Sequence, residues 1–231
     1  MDEVILSLEK VNKIYGTAVK TQALYELDLK IETGSFNAII GQSGSGKSTL
    51  LNIMGALDTP TSGEVKIAGK EIGQMKRKGL ASLRNKTIGF IFQFHYLLPE
   101  FTVLENVLMP YWMNTFKTPE AIIDRADYLM KKMGLNEVKN KLSTNISGGQ
   151  QQRTAIARSL INNPPVILAD EPTGNLDSEN TQTVYELLRE INKEFGTTFI
   201  LVTHDQRVAE MADRIIELKD GKIKMDVVNN F

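Results

Sequence analysis

The chain has 231 residues, with 27 lysines and arginines against 28 acidic residues, a formal net charge of −1 and no cysteine. That balance excludes a generally basic nucleic-acid binder, and the lack of thiols excludes disulfides and thiolate metal sites. No apolar run approaches the roughly 18 residues needed to cross a bilayer, and the acidic start MDEVILSLEK lacks the basic flank of a signal peptide, so a cytoplasmic chain is expected, any membrane part belonging to another polypeptide.

In chain order, VILSLEKV and YELDLKI have strand composition, and FNAII (36–40) reads as a buried strand. The flexible stretch GQSGSGKSTL (41–50) follows and leads into the helical pattern LNIMGAL. GEVKIAGKEI (63–72) reads as a hairpin around a Gly-Lys turn. KRKGLASLRNK (76–86) is short and mixed, and reads as a solvated surface and not as a nucleic-acid patch. TIGFIFQ (87–93) is a further strand ending at Gln93, after which the pattern is helical to about residue 160. There DRADYLMKKMGL carries apolar positions at helix spacing and a glycine stop. PVILAD, TTFILVT and RIIELKDGKI bring strands back, and SENTQTVYELLREINKEFG between the first two is an amphipathic helix. All-apolar strands alternating with helices imply a parallel sheet covered on both faces.

Residues 41–48 match G-x-x-x-x-G-K-[ST] through Gly41, Gly46, Lys47 and Ser48. A phosphate chain carries several negative charges, and successive backbone amides can surround it only where side chains do not intrude. The following helix presents its unpaired N-terminal amides to the same anion. Lys47 supplies a point charge for the β- and γ-phosphates, and the Ser48 hydroxyl suits Mg²⁺. The predicted ligand is a nucleoside triphosphate. VILADE (166–171) is an apolar strand ending in two carboxylates at the edge where α/β folds bind ligands. Asp170 is placed for the metal's water shell, and Glu171 for polarising an attacking water. In ISGGQQQRTAIARSL (146–160), Ser147 is a good helix N-cap, and Gly148 and Gly149 leave amides bare at a second anion-binding helix start.

The order of these motifs resembles the ATP-binding cassette (ABC) ATPases over the whole chain. The matching residues are the phosphate loop, the strand ending at Asp170, the signature SGGQ (147–150), Gln93 at the Q-loop, GNLD (174–177) at the D-loop, His204 after FILVT at the switch position, and Tyr15 in KIYG at the aromatic A-loop position. The resemblance implies an α/β P-loop NTPase core with a mainly parallel sheet, an N-terminal antiparallel β subdomain and an inserted helical subdomain. Residues 1–231 then form a single cassette, with 1–92 and 161–231 as core and 93–160 as the helical part. It further implies a split site, in which two copies pack head to tail with ATP between the phosphate loop of one and the signature helix of the other. Carried over, Tyr15 stacks on adenine, while Gly41, Ser43, Gly44, Ser45, Gly46, Lys47, Ser48 and Thr49 hold phosphates. Ser48, Gln93 and Asp170 serve Mg²⁺, and Gln93 also reports nucleotide state to the helical part. Ser147, Gly148, Gly149 and Gln150 meet the ATP of the other copy. Glu171 orients water, His204 contacts the γ-phosphate, and Asp177 sits at the dimer seam. His95 matches no catalytic position and reads as structural.

LADEPTGNLDS (168–178) and LLPEFTVLENVLMP (97–110) resemble the LolD/MacB/FtsE branch of that family. This implies a subunit on the inner face of the cell membrane, working with a separate integral membrane permease and, in some members, an adaptor protein, to release lipoproteins or export peptides and drugs. An FtsE-like transmitter of force to cell-wall hydrolases and a soluble non-transport ABC ATPase are the alternatives. Ile146 stands where leucine is commoner, and Gly174 and Asn175 replace the more usual serine and alanine of the D-loop. ENVLMPYWMNTF (105–116) holds the single tryptophan, Trp112, and reads as part core, part groove for a partner helix.

Overall fold

The computed structural model describes residues 3–115, 117–174, 178–204 and 211–229. Two long N-terminal strands, β1 (Val4–Tyr15) and β2 (Thr21–Glu32), pair antiparallel, and β4 (Ser62–Ile67) adds to the free side of β1, followed by the short β5 (Lys70–Glu71), giving a four-stranded sheet ordered β2-β1-β4-β5. The turn between β4 and β5 is the expected hairpin. The second sheet has six strands. Its centre is β3 (Phe36–Ile40), flanked in parallel by β8 (Thr198–Val202) and β9 (Arg214–Lys219). β7 (Val166–Asp170) and β6 (Ile88–Phe92) extend it in parallel beyond β8, and β10 (Lys222–Val228) closes the other edge antiparallel to β9.

Strand alternation divides the apolar residues between two cores. Phe36, Ala38, Ile167, Ala169, Phe199 and Leu201 face one side, and Ile39, Val166, Leu168, Ile200 and Val202 face the other. Both faces are therefore buried, as a parallel sheet requires. The first core is completed by α3 (Val103–Trp112), α4 (Glu120–Lys132), α5 (Gly148–Leu160) and α6 (Ser178–Phe195). The second is filled by the antiparallel sheet and by α1 (Lys47–Met54), whose Leu50, Leu51, Ile53 and Met54 are buried. Each fully buried side chain of this kind contributes about 1.5–3 kcal/mol relative to an exposed one. α1 is thus clamped at the carboxyl edge of β3 with its first turn directed to solvent.

The segment 76–86 corrects the sequence reading. It forms α2 (Arg77–Thr87), and its outer face is solvated as expected. Leu80, Leu83 and Thr87, at helical spacing, turn toward the second core. Arg84 donates from Nη1 to the Ala56 carbonyl at 2.8 Å, and Asn85 donates from Nδ2 to the Pro110 carbonyl at 2.8 Å, tying α2 to α3. Among the described residues no helix is long and apolar enough to cross a membrane.

Candidate nucleotide site

Between β3 and α1 the chain must turn through nearly closed space. Gly46 has φ +103°, and a Cβ there would lie 2.7 Å from the Ala23 carbonyl oxygen; Gly41 (φ +153°) would meet the Leu218 carbonyl oxygen at 2.2 Å. A side chain at either position displaces backbone. α1 begins with no side-chain cap, since Gly46 is its N-cap residue, so its first amides are left for an external acceptor. Lys47 folds over the loop and donates from Nζ to the carbonyls of Gly41 (2.7 Å) and Gln42 (2.9 Å), which fixes the ammonium at the mouth of the turn.

The loop encloses one side of a cavity of about 460 Å³. Gly41, Ser43, Gly44, Gly46, Lys47, Ser48 and Thr49 line it, and Asp170, Glu171 and His204 face them from the ends of β7 and β8. Glu171 has a left-handed backbone, φ +45°. Its amide donates to the Val202 carbonyl at 2.9 Å, and its carbonyl accepts from Gly174 N–H at 3.0 Å. This tight turn points the carboxylate at His204, whose Nδ1 is 2.9 Å from Glu171 Oε1, at the solvent side of the cavity. Burial pushes the Asp170 carboxyl above the usual carboxylate range, the neighbouring Glu171 charge adds to this, and Lys47 opposes it. A cation at Asp170 would relieve that cost. Ser48 and Asp170 offer one hydroxyl and one carboxylate on the same cavity, a donor set that suits Mg²⁺, which keeps waters and phosphate oxygens for its remaining positions.

Other expected residues lie elsewhere. Ser45 serves the loop itself: its hydroxyl is buried without a partner among the described residues, its amide donates to Gln42 O at 3.2 Å, and its carbonyl accepts from Gly221 N–H at 2.9 Å. Tyr15 does not line the cavity; its hydroxyl donates to Asp58 Oδ2 at 3.0 Å, and the Lys13 ammonium lies 4.8 Å from its ring centroid. Gln93 also stands outside the cavity and packs on the turn after Glu171, so closely that a Cβ at Gly174 would be 2.7 Å from its Nε2. Glycine in place of the commoner D-loop serine therefore has a packing reason. Asn175 and Asp177 fall outside the described residues, as does Phe116. Ala23, Gln42 and Val202 line the cavity without having been expected. Gln42 sits inside the phosphate-loop motif and could have been read with it; Ala23 and Val202 arrive from distant strands and carry no signal.

The signature residues Ser147, Gly148, Gly149 and Gln150 are absent from the cavity lining and form the start of α5. Ser147 caps the helix as expected. Its Oγ accepts from Gln150 N–H at 3.3 Å, and Gln150 Oε1 accepts from Ser147 N–H at 2.9 Å, a complete capping box. His95 is half-buried; burial lowers its pKa, and its carbonyl accepts from Arg158 Nη2 at 2.6 Å, in keeping with a structural role. Trp112 donates to Thr118 Oγ1 at 2.7 Å and packs on the first core with Tyr111, whereas Met113 is 76% exposed. Pro110 and Met113 join Ala81, Asn85 and Phe90 around a second, mainly apolar cavity of about 340 Å³.

The profile of the ABC transporter family matches residues 24–174. The lipoprotein-releasing system ATP-binding protein LolD 1 of Rhodopseudomonas palustris is 50% identical over 221 residues, spanning 95% of this chain and 98% of its own length. LolD of Anaeromyxobacter dehalogenans is 47% identical over 222 residues, 96% of this chain and 93% of its own. Among solved structures, the ATP-binding cassette MJ0796, in a dimer described as a post-hydrolysis state bound to ADP and Pi, superposes with a TM-score of 0.89 at 42% identity, covering 98% of this chain and 100% of that one. A phosphate loop facing two carboxylates and a histidine, a capped signature helix apart from them, and these relatives together make the chain a member of the ABC transporter family, as an ATP-hydrolysing cassette subunit.

Proposed function

We propose that the chain is the motor of a lipoprotein-releasing transporter, working as two copies that close on two Mg²⁺-bound ATP molecules and drive a separate membrane permease from the cytoplasmic side. The names of the LolD relatives support the lipoprotein assignment, and the dimeric MJ0796 cassette supports the pairing. One observation carries the pairing. A Cβ at Gly148 would meet nothing within 4 Å among the described residues, and the residue does not need a left-handed backbone, so none of them calls for glycine at the tip of α5. A surface that approaches from outside, such as the γ-phosphate held by another copy, does.

Within one half-site the loop amides and Lys47 hold the phosphates, and Ser48 and Asp170 would hold Mg²⁺, whose charge would offset that of the phosphate oxygens when it is bound. Tyr15 offers its ring to the adenine. Glu171 orients the attacking water and accepts its proton, while His204, 2.9 Å from that carboxylate, keeps it aimed and reaches the γ-phosphate. Gln93, packed on the turn after Glu171, reports the site's state to the helices of 93–160. The 340 Å³ cavity walled by α2 and the end of α3 is the seat for a cytoplasmic helix of the permease.

Replacing Glu171 by glutamine should leave ATP binding intact and lower turnover by about 10²–10⁴-fold, the range for loss of a general base. With hydrolysis blocked, ATP should shift the protein from monomer to dimer in light-scattering chromatography. A variant that turns over normally, or that stays monomeric with saturating ATP, contradicts the scheme. Reconstitution with the membrane partner that co-purifies with the tagged chain should give ATP-dependent transfer of a lipoprotein to a soluble acceptor; ATP-driven movement of some other cargo would remove the lipoprotein assignment.

A further inference from the structure

Gln152 has no part in the nucleotide contacts described above, yet it is fully buried, at 0% exposure, in the second turn of α5. Its Nε2 donates to the carbonyl of Pro172 at 2.5 Å, and its Oε1 is buried without a partner among the described residues. A buried carboxamide with one unpaired oxygen is costly where a leucine or methionine would fill the volume freely. The donor must therefore serve a purpose that packing does not. What it grips is the residue directly after Glu171.

The turn at 171–174 is fastened from several sides. Glu171 N–H donates to Val202 O, Gly174 N–H donates to Glu171 O, and the Thr173 hydroxyl is 2.7 Å from the Tyr185 hydroxyl. Pro172 has no N–H of its own, so its carbonyl is the one backbone group through which that residue can be hydrogen-bonded. Glu171 meanwhile holds φ at +45°, a backbone that a non-glycine residue keeps only when its surroundings enforce it. Gln152 stands five residues after the Ser147 cap, about 7.5 Å along the axis at 1.5 Å per residue. One stiff piece of helix thus joins the signature tip to the turn that aims Glu171.

We infer that Gln152 is a positioning residue for hydrolysis: its amide N–H, by holding the Pro172 carbonyl, keeps the Glu171 carboxylate on the line of attack and ties that aim to the placement of the signature end of α5. This rests on Glu171 being the water-orienting group. Release of Pro172 lets the 172–173 peptide rotate and Glu171 relax out of its left-handed backbone, which moves the carboxylate without touching the phosphate loop. Misplacement of a reacting group by about 1 Å costs on the order of 10²-fold in rate. Nucleotide binding, made by the other end of the cavity, is unaffected.

The test compares wild type, Gln152→Leu, Gln152→Met, Glu171→Gln and the double variant Glu171→Gln/Gln152→Leu, with steady-state ATPase and the Kd of a fluorescent ATP analogue read on each. Gln152→Leu should lower kcat by about 10–100-fold while KM and Kd stay within about twofold, and in the Glu171→Gln background it should lower the residual rate no further, because it acts through Glu171. Gln152→Met keeps the length of the side chain but carries no donor, so it should show the same loss, and it decides the matter where the leucine variant fails to fold. A wild-type kcat in the folded variants overturns the inference, as does an equal fold-loss in both backgrounds. An inactive Glu171→Gln beside a normal Gln152→Met defeats the inference alone; a fully active Glu171→Gln defeats the assignment of Glu171 and the inference with it.

Discussion

Gly148→Leu separates what the chain needs for folding from what it needs for catalysis. Gly148 is the first residue of α5, a Cβ there has no neighbour within 4 Å, and its backbone is outside the left-handed region. Replacing a glycine in such a place restricts the unfolded chain more than the folded one, a gain of about 0.4–1 kcal/mol. For a domain of this size that corresponds to a Tm rise of roughly 1–4 °C, using 2–4 °C per kcal/mol. In the proposed pair the added side chain would stand where the second copy's nucleotide has to approach within hydrogen-bonding distance. Loss of that preorganised donor set should lower turnover by about 10²–10³-fold, the range seen when a donor to a developing anion is removed. Scanning calorimetry and steady-state ATPase on the same preparation check both halves, and ATP-induced dimerisation in the Glu171→Gln background should vanish. A Gly148→Leu protein that hydrolyses ATP within threefold of wild type would falsify the placement of this helix tip against a phosphate. A fall in Tm instead would mean that its own chain does contact the site.

Two further perturbations probe the turn and the metal position. Gly174→Ala places a methyl 2.7 Å from Gln93 Nε2 and 3.0 Å from its Cδ and Cγ, a clash with the movable end of a side chain; turnover should fall several-fold as Gln93 is displaced, with Tm changing by less than about 3 °C, and unchanged turnover would mean that the glutamine's place is immaterial. Asp170→Asn should abolish Mg²⁺-dependent hydrolysis yet stabilise the nucleotide-free protein at neutral pH. The sign follows from the raised carboxyl: with its folded pKa above the unfolded value of about 3.9, the cost to the folded state is absent below the unfolded pKa, builds as pH rises from there to the folded pKa, and is full above it. The Tm advantage of the asparagine variant should therefore be present at pH 7 and shrink toward pH 4. A variant less stable than wild type at pH 7 contradicts the burial argument.

What was legible in the sequence was whatever chemistry confines to a short local pattern. Gly41, Gly46, Lys47 and Ser48 had to stand together because a phosphate needs bare amides and a cation at one turn. Ser147 announced the cap of α5, whose box with Gln150 only the fold shows, and Val166–Asp170 announced a strand by an unbroken apolar run ending in acid. α2 was overlooked because its basic composition dominated the reading, although Leu80, Leu83 and Thr87 already held helical spacing toward one face. Ser45 could not be told from its neighbours in the loop; only the fold reveals that it faces inward, beside Gly41. Gln152 lay inside a motif read for its first four residues, and its partner Pro172 is twenty residues away across α5 and β7. Contacts of that kind leave no periodic trace.

The electrostatics of the cavity explain why hydrolysis should depend on a second copy. Among the described residues that line it, one ammonium, Lys47, faces two carboxylates, Asp170 and Glu171. A triphosphate brings several more negative charges to this place. The loop amides and the N-terminus of α1 contribute roughly half a unit of positive charge, and a divalent cation at Ser48 and Asp170 would relieve the carboxylate that burial already raises. On the open side, toward which His204, 73% exposed, is turned, the described lining adds no further lysine or arginine. The end of another α5, again with roughly half a unit of positive charge and the hydroxyl of Ser147, would oppose that deficit in sign and offset part of it. In the proposed pair, cleavage would undo the arrangement from within, because a departing phosphate would take away the charge that both helix ends face. Closing on ATP and opening after hydrolysis are thus two consequences of one unbalanced half-site.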